Sequence, residues 1–181
     1  SMSDRKSLRS MLDLPASRWR GVLERETGWG YRGDQVANWV FKRGVFNFGE
    51  MANVPEKIRS DLGARYTVVP PEVVACFESA DGTRRFLFEL QDGQKVEAVY
   101  MPYSDRVTLC VSSQVGCRFA CPFCQTGVMG LQRSLTPGEI VGQVLRLRAE
   151  QDCLERPVNV VFMGQGEPLD NIDTVVQAIE A

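Results

Sequence analysis

Apolar and polar positions change their rhythm twice along the chain, and each change predicts a different kind of structure. Within residues 7–26, Leu8, Met11 and Leu12 recur at helical spacing, Pro15-Ala16-Ser17 interrupts them, and Trp19, Val22 and Leu23 resume the pattern. Gly28, Gly30 and Gly33 mark a turn. Val36, Trp39 and Val40 then form an i, i+3, i+4 stripe, with Lys42 and Arg43 near its end, where cations complement the helix dipole. A third helix is expected from Pro55 to about Ala64. Residues 1–66 therefore read as a small helical unit in which Trp39 and Phe41 are core rather than base-stacking groups.

From Val68 the spacing tightens. Val73–Phe77, Arg85–Leu90 and Lys95–Met101 are short β-rich runs separated by Asp81-Gly82 and Asp92-Gly93, which predicts an antiparallel meander. Glu97 alternates with apolar neighbours, the pattern of a position facing solvent.

The second change comes at Arg106. A strand is expected over Arg106–Ser113, then a loop, then a helix opened by Thr136-Pro137-Gly138-Glu139, a capping box with proline at the first helical position. Ile140, Val141, Val144, Leu145 and Leu147 supply its buried face. Val158–Met163 is a nearly continuous apolar run of the sort found in a parallel strand covered on both faces. Strand, loop, helix and strand make a βαβ unit. A last helix, capped by Asp170 or Asn171, is expected to follow. Two parallel strands cannot bury both faces of a sheet, so the pattern asks for more βα units, and a C-terminally truncated chain is expected.

Composition narrows the class only a little. In 181 residues, 44% hydrophobic and 24% charged, the chain has what a folded protein needs to bury a core. No apolar run approaches the roughly 18 to 20 residues that cross a bilayer, and the polar opening has no signal-peptide core behind it, so a cytoplasmic location is expected. The net charge of −2 is uneven: residues 1–70 carry 12 Lys and Arg against 8 Asp and Glu, whereas residues 71–181 carry 9 against 15. A basic front end suits contact with phosphates, or is simply a solvated surface.

Chemistry concentrates in Cys117-Arg118-Phe119-Ala120-Cys121-Pro122-Phe123-Cys124. Three cysteines at this spacing can converge on one inorganic centre, and three thiolates on an iron–sulfur cluster leave one iron open to a small molecule. Zinc is the competing reading. A structural zinc asks for four ligands, but the chain has no histidine and no second Cys-x-x-Cys pair. A disulfide framework is disfavoured by the chain's size and its six cysteines, and Cys76 and Cys153 read as ordinary packed residues. Gly164-Gln165-Gly166-Glu167-Pro168 follows the second parallel strand, where glycines permit close backbone approach to a ligand and Glu167 offers an acceptor for an ammonium group.

The cysteine triplet with Phe123 before its last member, together with this glycine motif, resembles the radical S-adenosylmethionine enzymes. The resemblance implies a 4Fe-4S cluster on Cys117, Cys121 and Cys124. It also implies S-adenosyl-L-methionine chelated to the open iron, with its amino group held at Gly166 and Glu167 and its sulfonium bond cleaved to a 5'-deoxyadenosyl radical. Leu109–Cys117 and Val160–Leu169, with Arg32–Val36, Asp81–Thr83, Val96–Tyr100 and Gly138–Val144, are similar to one subgroup. That subgroup is the dual-specificity RNA methyltransferases, which make 2-methyladenosine in 23S rRNA and tRNA. The fold this implies is α/β: a partial (βα)6 barrel, represented by its first βα units in residues 105–181. A helical accessory domain over 1–66 and an antiparallel β extension over 67–104 precede it.

In the implied reaction a cysteine near the C-terminus carries the methyl group to adenine C2. Glu97 matches the proton acceptor, and Cys110 matches the cysteine that resolves the protein–RNA bond by forming a disulfide. The expected partners are 23S rRNA, tRNA and an electron donor such as flavodoxin, acting on a monomer. No cysteine of this chain matches the methyl carrier, since Cys153 comes too early, so the chain alone is expected to be inactive. A C8-methylating relative and a non-catalytic RNA- or cluster-binding module are the alternatives.

Overall fold

The structure, a computed structural model, describes residues 8–116 and 130–179. The cysteine triplet thus lies outside the described residues. The front of the chain is helical, but its first turns are not. Arg9–Ser10 (β1) pairs in parallel with Tyr66–Thr67 (β2), and short 3-10 turns at Met11–Asp13 and Ala16–Arg18 precede helix α1, Trp19–Thr27. The expected break at Pro15 is there, yet the first half of the expected helix gives way to a strand that ties the unit's two ends together. Helix α2 spans Arg32–Ala37 and runs on as a π-helical turn, Asn38–Lys42. Gly28 closes α1 in the left-handed region at φ 76°, whereas Gly33 lies inside α2, where an added Cβ would meet the backbone of Arg20 at 2.7 Å. Gly33 therefore serves helix packing rather than the turn. Helix α3 is Glu56–Gly63.

Five strands follow in one sheet: β3 (Glu72–Glu78), β4 (Arg84–Glu89), β5 (Lys95–Pro102), β6 (Val107–Cys110) and, beyond a helix, β9 (Val158–Val161). The first four are antiparallel neighbours and β9 joins β6 in parallel. The meander and the βα unit therefore share one continuous sheet, and the two parallel strands do not stand alone. A separate hairpin pairs β7 (Gln114–Val115) with β8 (Arg133–Ser134). β9 is an edge strand of the described sheet and only partly buried, with Val160 38% exposed, so it is not covered on both faces as expected of its apolar run.

Helix α4, Pro137–Glu150, begins at the expected box. Thr136 accepts from the Glu139 amide, and Glu139 accepts from the Thr136 amide. It has two buried sides because it lies between two cores. Val141 and Leu145 pack with Leu12, Trp19 and Leu62 of the helical unit, while Ile140 and Leu147 pack with Phe88, Val96 and Leu109 of the sheet. Gly138 and Gly142 allow the helical unit this close. A Cβ on Gly142 would come within 2.4 Å of Pro71 Cδ, and Gly138 donates its amide to Asp13 Oδ1 at 2.9 Å. Arg146 adds two bonds, to the carbonyls of Pro70 and Pro71. Helix α5, Ile172–Ile179, closes the described chain after a 3-10 turn, Pro168–Asn171. The side chain that caps this turn is Glu167, accepting from the Leu169 amide. No described helix is long and apolar enough to cross a membrane.

Candidate active site

Alternation divides the sheet into two faces. Phe86, Phe88, Val96, Ala98, Tyr100, Val107 and Leu109 face α4 and are buried. Leu87, Glu97, Val99, Met101, Thr108 and Cys110 occupy the opposite face and are half-exposed. Val99 is paired with Cys110, which makes Glu97 and Cys110 diagonal neighbours on that open face, about 7 to 8 Å apart by the geometry of such pairs. The alternation of Glu97 with apolar neighbours correctly indicates the less buried side; what it cannot indicate is that Cys110 shares it. Partial burial raises the Cys110 thiol above its ordinary pKa, so at neutral pH it is held protonated.

Just past β6 the chain enters a polar knot. Ser112, Ser113, Gln114 and Gln143 are all buried. The Gln143 amide, reaching from α4, accepts from the Ser112 N–H and donates to the Ser112 carbonyl, both at 2.9 Å, thereby substituting for a neighbouring strand. Ser112 Oγ donates to the Glu97 carbonyl at 2.6 Å and accepts from the Gln165 amide at 2.8 Å. One hydroxyl thus joins the Glu97 strand to the glycine motif. Gln114 Nε2 donates to Asp170 Oδ2, and its Oε1 accepts from the Glu167 amide. Asn171 donates to the carbonyls of Ser113 and Leu135.

Beyond this knot, β7 and β8 form the stem from which the cysteine segment departs. Gly116, at φ 75°, sits against the Gly130 carbonyl so closely that an added Cβ would lie 1.8 Å from that oxygen. The two residues that flank segment 117–129 are therefore in contact. Arg133 fixes the stem from outside, with two 2.7 Å bonds to the two carboxylate oxygens of Glu139 and a third of the same length to Asp92 on the β4–β5 turn. Arg133 holds Asp92 below the ordinary carboxylate range, and the Glu139 carboxylate pushes the Arg133 pKa up.

The glycine motif packs against the polar knot. Cβ atoms on Gly164 and Gly166 would fall 2.6 Å from Ser112 Oγ and from Gln114 Cβ. What these glycines admit in this structure is the 112–114 backbone, locking two loops together. Glu167 is half-buried and uses one carboxylate oxygen for its cap. Within the same motif Gln165 Oε1 is buried without a hydrogen-bond donor. An orphan acceptor of this kind fits a ligand that brings N–H groups, as an aminoacyl moiety does.

Two family models match the chain: the ribosomal RNA large subunit methyltransferase N-terminal domain over residues 6–68, and the radical SAM superfamily over residues 111–181. The dual-specificity RNA methyltransferase RlmN of a Nitratiruptor species is 38% identical, over 96% of this chain and 52% of that protein. Both matched parts of the chain are RlmN-like. A crystal structure of a radical SAM methyltransferase from Sphaerobacter thermophilus superposes with a TM-score of 0.88 at 36% identity, covering 95% of this chain and 51% of that one. The chain thus spans about half the length of the relatives it matches.

That likeness implies a 4Fe-4S cluster and S-adenosylmethionine. The donor set fits: three cysteines fall in the segment between Gly116 and Gly130, which touch, and the orphan acceptor of Gln165 stands in the motif packed against the same stem. Cys76, Cys110 and Cys153 are free thiols, so no disulfide joins the described cysteines. Residue patterning alone did not single out Ser112, Gln114, Gln143 or Arg133. The available signal was Gln143, a polar side chain set among Ile140, Val144 and Leu147 in an otherwise apolar helix face.

Proposed function

We propose that this chain provides the radical-generating loop and the sheet face of an RNA methyltransferase that modifies adenine C2 in 23S rRNA and tRNA. The observation that supports it is the placement of Glu97 and Cys110 as diagonal neighbours on the open sheet face, with Ser112 linking the Glu97 strand to the glycine motif. Cys117, Cys121 and Cys124 hold the 4Fe-4S cluster, and Gly166 and Glu167 hold the amino group of S-adenosylmethionine. When bound, these groups would supply the one-electron chemistry that activates a C–H bond of the carried methyl group, so that its carbon can add to an adenine carbon that is not nucleophilic.

The chain's own residues do the acid–base and thiol work. Glu97 accepts the proton that leaves the methylated adenine, from a half-exposed position within reach of substrate. Cys110, once it has given up its proton, attacks the sulfur of the methyl-carrying cysteine as the thiolate: the S–S bond forms as the bond from that sulfur to the RNA-borne carbon breaks, and the released electron pair takes up a proton to leave a methyl group on the adenine. Residues 1–66 serve as an accessory domain, residues 67–104 as a β extension and residues 105–181 as barrel. The protein acts in the cytoplasm as a monomer and draws electrons from a flavodoxin-type donor. None of the chain's cysteines takes the methyl-carrier role, so the 181-residue chain by itself does not methylate RNA.

The deciding experiment places the intact gene in cells lacking adenine-C2 methylation and maps the modified atom by mass spectrometry of RNA digests. Methyl groups at C2 are expected. Methylation at C8 instead, or methylation by the isolated 181-residue chain, would overturn the corresponding statement. Glu97→Gln in the intact protein should lower the methylation rate about 10²-fold or more, as loss of a proton-transfer group does, while leaving anaerobic cluster assembly unchanged.

A further inference from the structure

The helical unit carries a surface on which aromatic rings and guanidinium groups are linked in one chain of contacts through Asn53. Trp29 and Tyr31 are 54% and 47% exposed, and their rings meet edge to face with centroids 6.1 Å apart. The Arg32 guanidinium lies 4.7 Å from the Tyr31 ring centre and donates to the Asn53 carbonyl at 3.1 Å. Asn53 Oδ1 accepts from Trp39 Nε1 at 2.6 Å, and the Arg43 guanidinium lies 4.3 Å from the Trp39 ring centre. The contacts run continuously from Trp29 to Arg43.

Some cations of the unit are paired, while others, Arg9, Arg18, Lys42 and Arg59 as well as those of the strip, have no described carboxylate at ion-pairing distance. Arg20 pairs with Asp34, Arg25 and Arg65 with Glu26, and Lys57 with Asp61. Among the described residues, neither Arg32 nor Arg43 has a carboxylate within ion-pairing distance, and the buried Arg32 Nε has no acceptor. Exposed rings interleaved with uncompensated cations suit a ligand that offers flat π faces and negative charge together. An RNA loop does so: its unstacked bases lie on aromatic side chains and arginine planes while its phosphates meet the cations.

Resting on the RNA-methyltransferase reading above, we propose that Trp29, Tyr31, Arg32, Trp39 and Arg43 form a stacking platform for unpaired RNA. Bases of a single-stranded loop lie on Trp29 and Tyr31, and their phosphates meet Arg32 and Arg43. Because stacking tolerates any base, the platform reads strand character rather than sequence.

The test uses the full 181-residue chain and a fluorescein-labelled RNA hairpin with an unpaired loop, read by fluorescence anisotropy across a salt series. A fully paired RNA duplex of equal length is the comparison ligand. Trp29→Ala and Tyr31→Ala should each weaken hairpin binding about 5- to 150-fold, the range for losing one base–aromatic stack. Arg43→Gln should flatten the salt dependence by about 0.7 in log–log slope, whereas Lys95→Gln, which removes one charge from the sheet, should leave hairpin affinity unchanged. The duplex should bind more weakly than the hairpin. Wild-type affinity in both alanine variants, equal affinity for duplex and hairpin, or no hairpin binding at low salt would each overturn the platform. The first of these would leave the strip to a protein partner. The methylation reading is judged separately, by the modified atom in cellular RNA.

Discussion

The neck of the cysteine segment and the aromatic strip of the helical unit treat polar groups in opposite ways. At the neck, Ser112, Gln114 and Gln143 are fully buried and held by hydrogen bonds that leave each side chain a single orientation. On the strip, Arg32 and Arg43 lack described counter-charges, Arg43 stands in the open, and the rings of Trp29 and Tyr31 face solvent. A buried, satisfied network specifies one geometry, which suits radical chemistry that must reach one carbon. An exposed, unsatisfied surface accepts many geometries, which suits a partner that arrives with variable sequence.

Substitutions should separate the two regions by the size of their effect on stability. The largest loss is expected for Gln143→Leu, which strands the N–H and carbonyl of Ser112 in an apolar interior. Each unsatisfied group costs about 1 to 3 kcal/mol, and urea denaturation should show a loss of about 3 kcal/mol. Gly116→Ala should follow at about 2 kcal/mol, since φ 75° and the Gly130 carbonyl both reject a Cβ. It should also lower the iron bound per chain after anaerobic reconstitution.

A smaller effect is expected from pH. Arg133 depresses the Asp92 pKa in the folded chain, so this pair contributes stability above the unfolded carboxylate value, about 3.9, and loses it as pH falls through the lower folded value. Asp92→Asn should therefore lower stability at pH 7, where the pair is fully charged, and flatten the further loss below about pH 4, where the native carboxyl becomes protonated, as thermal unfolding across pH would show. Last comes Trp29→Ala, which should change unfolding stability by less than about 0.5 kcal/mol while it weakens RNA binding. A strip variant that unfolds the chain, or a neck variant that does not, would erase the contrast.

Sequence made visible those features whose cause is local. Thr136, Pro137 and Glu139 start α4 through bonds within one turn, and the meander alternates because each strand has one buried face. Features whose cause lies far along the chain were hidden. The pairing of Arg9–Ser10 with Tyr66–Thr67 is too short to leave a pattern, and Gln143 looks like a surface amide until Ser112 is placed opposite it. The edge position of β9 is likewise a property of the sheet, not of its apolar run. Trp39 was half legible: its stripe indicates core and it does pack against that core, but its indole edge and the Arg43 above it belong to the surface. For the candidate site, spacing identified the cysteine triplet, but those residues lie outside the described structure, so what geometry the site shows comes from neighbours that spacing does not reveal.

The contact between Gly116 and Gly130 has a thermodynamic corollary. Bringing the ends of a flexible segment together carries an entropic penalty that an incoming metal centre would ordinarily have to offset. Here the β7–β8 ladder and the Arg133 ion pairs hold the residues on either side of 117–129 together, so the fold itself meets part of that penalty. Binding free energy is then left for coordination itself. Loss of the inorganic centre, by oxidation or chelation, should accordingly be a reversible local event, with the scaffold intact and ready to be reloaded.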